Sequence, residues 1–153
     1  MSYQTARDQI VAMLESITPS SNKVVNTKFR HMPSAQGKNV TSRSFWLAAN
    51  VDGPGVIRGP DLINIASTPG PLHVVTLTLT VTYRDHGPRQ DEFDAMLEAD
   101  RTDISIALLN PANWNRPASG IENVANGRDF MPTTRHEVGN ATEMKIVFPL
   151  VYR

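Results

Sequence analysis

The side chains most able to do chemistry in this chain are scattered. Its four histidines, His31, His73, His86 and His136, stand far apart. None forms the HxH or HExxH spacing that would put two imidazoles on one ion, so no metal site is expected. Asp85-His86 is an acid–histidine pair, but at the end of a strand pattern it reads as turn chemistry. Asp100 and Asp103 are residue types for paired acid–base work, yet on an amphipathic helix they suit a solvated face. No GxSxG or SxxK motif frames a nucleophilic serine. The chain has no cysteine, which removes thiolate nucleophiles, thiolate metal sites and disulfides together. The glycines between Asp52 and Pro71 do not follow a strand and open a helix, so they make no phosphate cradle. The expectation is a protein that is not an enzyme and holds no cofactor.

Charge carries more information. Lys23, Lys28, Arg30, Lys38 and Arg43 form a basic arm, because no acidic residue occurs between Glu15 and Asp52. Phe29, Phe45 and Trp46 are interleaved with it. A solvated loop is the plain reading. A second is a nucleic-acid-binding module in which residues 23–43 grip phosphates and stack bases. A third joins the arm to the acidic helix of another copy, which carries Asp91, Glu92, Asp94, Glu98, Asp100 and Asp103. Opposite charges on separate patches of one chain suit a head-to-tail contact that closes into a ring. The formal net charge of +0 favours this third reading over nucleic acid. The expected contact residues are Lys28, Arg30, Arg43 and Trp46 on one side, with Asp94, Glu98 and Asp100 across the subunit boundary.

These residues must be positioned by a fold, and the clearest element runs from Leu72 to Asp85. Val75, Leu77, Leu79, Val81 and Tyr83 alternate with Val74, Thr76, Thr78, Thr80 and Thr82. That period of two predicts a central antiparallel strand with an apolar face on the core and a threonine-rich reverse face. Tyr3, Ala6, Ile10, Met13, Leu14 and Ile17 make a helical stripe, with Ser2 as N-cap and Pro19 as the stop. Val40 to Ala49 predicts a strand with Phe45 and Leu47 on one side and Trp46 on the other. Phe93, Met96 and Leu97 mark a helix opened by Pro88, and Thr102 or Asp103 is expected to cap a second helical piece that ends before Pro111. A single kinked helix is the competing expectation.

Residues 20–39 and 52–71 are expected to be long loops, with Leu62, Ile63 and Ile65 able to make a short edge strand in the second. Asn113 to Gly127 is expected to be loop anchored by Trp114. Gly139-Asn140 signals a two-residue hairpin between Phe130–Val138 and Ala141–Tyr152, which would set His136 opposite Glu143 and Thr134 opposite Lys145. Pro149 cannot donate to a ladder, so the last strand is expected at an edge or frayed there. The chain of 153 residues, 40% hydrophobic, is predicted to be one domain spanning 1–153. Its class is α+β: a mainly antiparallel sheet with helices packed on one face and a C-terminal β-hairpin. The polar start MSYQTARDQ has no apolar core like that of a signal peptide, and no apolar run reaches the roughly 20 residues of a membrane span. Neither export nor a membrane partner is expected.

This element order resembles the tail terminator (tail-completion) proteins of long-tailed bacteriophages across most of the chain. The resemblance lies in the opening helix MSYQTARDQIVAMLESI, the long loop before VVTLTLTVTYRD, the helical stretch DEFDAMLEADRTDISIALLNPANW and the closing MKIVFPLVYR. It implies a structural virion protein without catalysis. Such proteins form a hexameric ring on the tail tube that terminates tube assembly and joins tail to head. The implied partners are other copies of the chain, the tail-tube protein and neck or connector proteins, with DNA only passing through the channel. The implied place is the virion tail, assembled in the host cytoplasm. Related tail-tube and head–tail connector proteins share much of this layout and are the alternative within the same class.

Overall fold

The computed structural model describes residues 2–22, 24–32, 42–49, 55–57, 72–84, 90–114, 121–124, 133–138 and 141–152. The first helix, α1, spans Tyr3–Ser16 and starts as its sequence dictates. Ser2 sits in extended conformation and its hydroxyl accepts from the Thr5 amide at 3.1 Å, satisfying one of the donors that a helix start leaves open. Ala6, Ile10 and Leu14, four residues apart, are the buried stripe. Ile17 leaves the helical region, and the buried Pro19 follows two residues later.

Among the described residues seven strands make one sheet: β1 (Arg30–His31), β2 (Ser44–Ala49), β3 (Gly55–Ile57), β4 (Leu72–Arg84), β5 (Ile121–Val124), β6 (Thr133–Val138) and β7 (Ala141–Tyr152). The main path is β1-β2-β4-β7-β5, with β3 also on β4 and β6 also on β7. The pairing of β1 with β2 is parallel and the other pairings are antiparallel, so the protein is α+β with a mainly antiparallel sheet. β4 is the axis. It pairs with β7 from His73↔Tyr152 to Arg84↔Ala141 and with β2 from Leu77↔Ala49 to Thr82↔Ser44.

In this register Phe45, Val81 and Met144 fall on one row, and Leu47, Leu79 and Ile146 on the next. All six are buried in a core that also takes Ala6, Ile10 and Leu14 of α1. The second helix, α2 (Gln90–Leu109), adds Phe93, Met96, Leu97, Ile104 and Leu108. Fully burying each such side chain contributes about 1.5–3 kcal/mol relative to leaving it exposed. On the reverse face Trp46, Thr80 and Lys145 share a row. Thr80 is buried there, while Trp46 and Lys145 are half-buried.

Several expectations are corrected. α2 is one helix through Thr102 and Asp103, because Thr102 turns its hydroxyl back onto the Glu98 carbonyl at 2.9 Å instead of capping a new start. β7 lies inside the sheet rather than at its edge. Pro149 lies opposite Thr76 of β4, and on the other side of β7, among the described residues, the β6 pairing ends at Ile146 and the β5 pairing begins at Leu150. The stretch 20–39 contains β1 and two core residues, Val25 and Phe29. The stretch 52–71 contains β3, and β5 lies in what the sequence suggested was loop after Asn113. β2 begins at Ser44, after a turn at Ser42 and Arg43, rather than at Val40. β6 is described from Thr133, and the expected start at Phe130 lies outside the described residues. The hairpin register is as expected, His136 opposite Glu143 and Thr134 opposite Lys145. The Leu62–Ile65 strand, the Asp85–Pro88 turn and the Gly139-Asn140 turn lie outside the described residues.

Candidate functional site

Among the described residues the densest polar constellation is inside the molecule. Arg43 stands just before β2 with φ 65°, a left-handed backbone that costs an arginine about 1–2 kcal/mol. Its surroundings fix it there: its amide donates to the Thr82 carbonyl at 2.8 Å and its carbonyl accepts from the Arg30 amide at 3.0 Å. So turned, the side chain runs into the core, and both Arg43 and Asp100 are 0% exposed. Nε donates to Oδ2 of Asp100 and Nη2 to Oδ1, each at 2.9 Å, the two-pronged geometry that a planar guanidinium gives a carboxylate. Tyr83 donates its hydroxyl to the same Oδ2 at 2.7 Å.

The rest of the guanidinium serves the segment that precedes β1. Nη2 donates to the Ser21 carbonyl at 2.6 Å, and Nη1 to the carbonyls of Thr27 at 2.8 Å and Val25 at 3.3 Å. The cation also lies 5.7 Å from the centre of the Phe29 ring. Every N–H of Arg43 therefore has an acceptor, which is the condition for keeping a buried charge without large cost. Burial pushes the Asp100 carboxyl above its usual range, and the bonds from Arg43 and Tyr83 pull against that. As a group that accepts three hydrogen bonds and donates none, Asp100 is the carboxylate. Burial, then the charge and bond of Asp100, drive the Tyr83 phenol well above 10, so it stays a donor. The cluster is a staple: Arg43, Tyr83 and Asp100 hydrogen-bond one another inside the core.

The expected contact residues thus separate into two sets. Arg43 and Asp100 meet inside one chain, so the reading of both as exposed subunit-interface residues is corrected, because the burial of each makes the other necessary. Lys28 and Arg30 are exposed, on the segment Arg43 holds. Trp46 is half-buried on the reverse face. Glu98 is exposed on α2 and accepts from Arg101 at 3.1 Å, while the half-buried Asp94 accepts from Gln90 at 2.9 Å. Asp103 is not an acid–base partner of Asp100; its Oδ2 accepts from the Ser20 amide and hydroxyl at 2.9 and 3.0 Å. Lys23 and Lys38 lie outside the described residues.

An open groove of about 530 Å³ lies where Ser20, Ser21 and Asn22 face Asp91, Glu92, Ala95 and Ala99 of α2. The His31 ring lies tilted against Phe45 with ring centres 5.5 Å apart, and His73 stacks on Tyr152 at 5.3 Å. Among the described residues no three histidine, aspartate or glutamate side chains are grouped to hold a metal ion. No helix among them is long and apolar enough to cross a membrane. The sequence signal that could have exposed the staple is faint: Asp100 falls on the apolar stripe of α2, seven residues after Phe93 and four before Ile104. No protein-family model matches the chain, and no curated protein matches it.

Proposed function

We propose that this protein is a structural virion component that closes into a ring at the end of a phage tail tube, ending tube growth and joining tail to head. The observation that carries the reading is the distribution of charge that survives folding. With Arg43 and Asp100 consumed internally, the surface keeps Lys28 and Arg30 on one segment and Asp91, Glu92 and Glu98 on α2. A cationic element and an anionic element on one chain suit a head-to-tail contact between copies, and repetition around a ring makes modest contacts strong together. The mainly antiparallel α+β architecture supports the resemblance drawn from element order. Helices packed on a single face of the sheet, with the threonine-rich face left for tube or neck, complete the proposal.

Light scattering over a concentration series, with micrographs of the purified protein, tests it. Closed oligomers are expected, together with a shift toward monomer for Arg30→Glu and partial recovery when Glu98→Lys is added. Strict monomers at high concentration, or no recovery by any acidic-to-basic change on α2, would remove the ring and its charge pairing respectively.

A further inference from the structure

The segment from Ser20 to His31 is attached to the molecule in an unusual way. Among the described residues its backbone ladder is confined to its far end, where the Arg30 amide donates to Arg43 at 3.0 Å and the Met32 amide to Phe45 at 2.8 Å. Its near end is held by one carboxylate, Asp103, through the amide and hydroxyl of Ser20. Between them the carbonyls of Ser21, Val25 and Thr27 all converge on the single guanidinium of Arg43. Val25 and Phe29 tuck under it into the core. Lys28 and Arg30 point outward from it.

A segment fixed by side chains at a few points, not by a continuous ladder, is the kind that opens below the global unfolding free energy. We propose that the described residues of this segment, 20–22 and 24–31, form a strap that opens and closes as one unit over a folded core, latched by Arg43 and by Asp103. Closure sets Lys28 and Arg30 in place. The consequence for assembly rests on the ring reading above; the opening itself does not. When the strap lifts, the basic patch loses its fixed geometry, and the wall that Ser20, Ser21 and Asn22 give the α2 groove goes with it.

Native-state hydrogen exchange on the full chain tests the unit. Asp103→Ala deletes the near attachment at a site remote from the Arg30 and Met32 amides. If the strap moves as one, those two amides speed up by about 10- to 100-fold, the range expected for losing bonds to a charged acceptor, while the β4 and β7 amides of Leu79 and Ile146 do not change. Asp103→Asn keeps an acceptor and falls between. Unchanged Arg30 and Met32 amides would show that the ends move separately and overturn the unit. An equal acceleration of Leu79 and Ile146 would also overturn it, since the strap would then open only with the core. Light scattering on Asp103→Ala separates this proposal from the ring: weakened self-association supports the coupling, and unaltered association alongside faster strap exchange overturns the coupling.

Discussion

The guanidinium of Arg43 and the carboxylate of Asp100 lie edge to edge, two hydrogen bonds of 2.9 Å between them, with neither side chain exposed to solvent. The pair joins the start of β2 to the middle of α2, and through Tyr83 it reaches β4. Such a pair is a poor source of net stability but a severe liability when broken, because removing one partner leaves the other charge in the core.

A double-mutant cycle on this pair therefore has a definite shape. Arg43→Met and Asp100→Leu are each expected to lower the unfolding free energy by about 3–5 kcal/mol. The double variant is expected to lose clearly less than the sum, by at least about 2 kcal/mol, since no unpaired charge remains. Urea denaturation measures all three, and strictly additive losses would contradict the internal pairing.

Tyr83 gives an alkaline signature. Its folded-state pKa is raised, so the stability it contributes is fully present below 10.0 and is lost as pH rises through the folded value. Absorbance titration should show its ionisation coinciding with alkaline unfolding, separate from titration in the folded state. Tyr83→Phe should abolish that step and lower stability by about 1.5–3 kcal/mol for the bond to Asp100. Ionisation of Tyr83 in the native protein, ahead of unfolding, would count against this placement.

On the acid side the group to watch is His31. Its Nε2 is sealed without a hydrogen-bond partner among the described residues, and its ring rests by Phe45. Burial and then the positive charge of Arg7 lower its pKa from 6.5, opposed by Glu15 and Asp8. A depressed folded value means stability that is present above 6.5 and is lost as pH falls from there through the folded value. His31→Phe should flatten the stability profile in that window. A profile equally steep in the variant would place the titrating group elsewhere.

Thr82 invites a gain. Its hydroxyl is buried with no hydrogen-bond partner among the described residues, in the row it shares with Ser44 and Glu143. Thr82→Val replaces that hydroxyl with a methyl group of similar shape, and should raise the unfolding free energy by about 1 kcal/mol. Thermal unfolding gives the comparison, and a lower midpoint would mean that the hydroxyl is satisfied in solution.

The amino-acid sequence determined what local rules can determine. The period of two in β4 set its buried face, and the Ser2 cap and the Ala6, Ile10, Leu14 stripe set α1. The pairing of His136 with Glu143 followed from a two-residue hairpin spacing. Each depends on residues a few positions apart, where propensity and alternation act directly. What the tertiary structure decided was which charges are inside. Arg43 and Asp100 stand 57 positions apart, and local rules place each at the surface because a lone charge is costly to bury. That cost disappears only when the two are folded against each other, and no local pattern encodes the meeting. The same holds for β1, β3 and β5, short strands whose hydrogen bonds come from β2, β4 and β7 and not from any signal of their own.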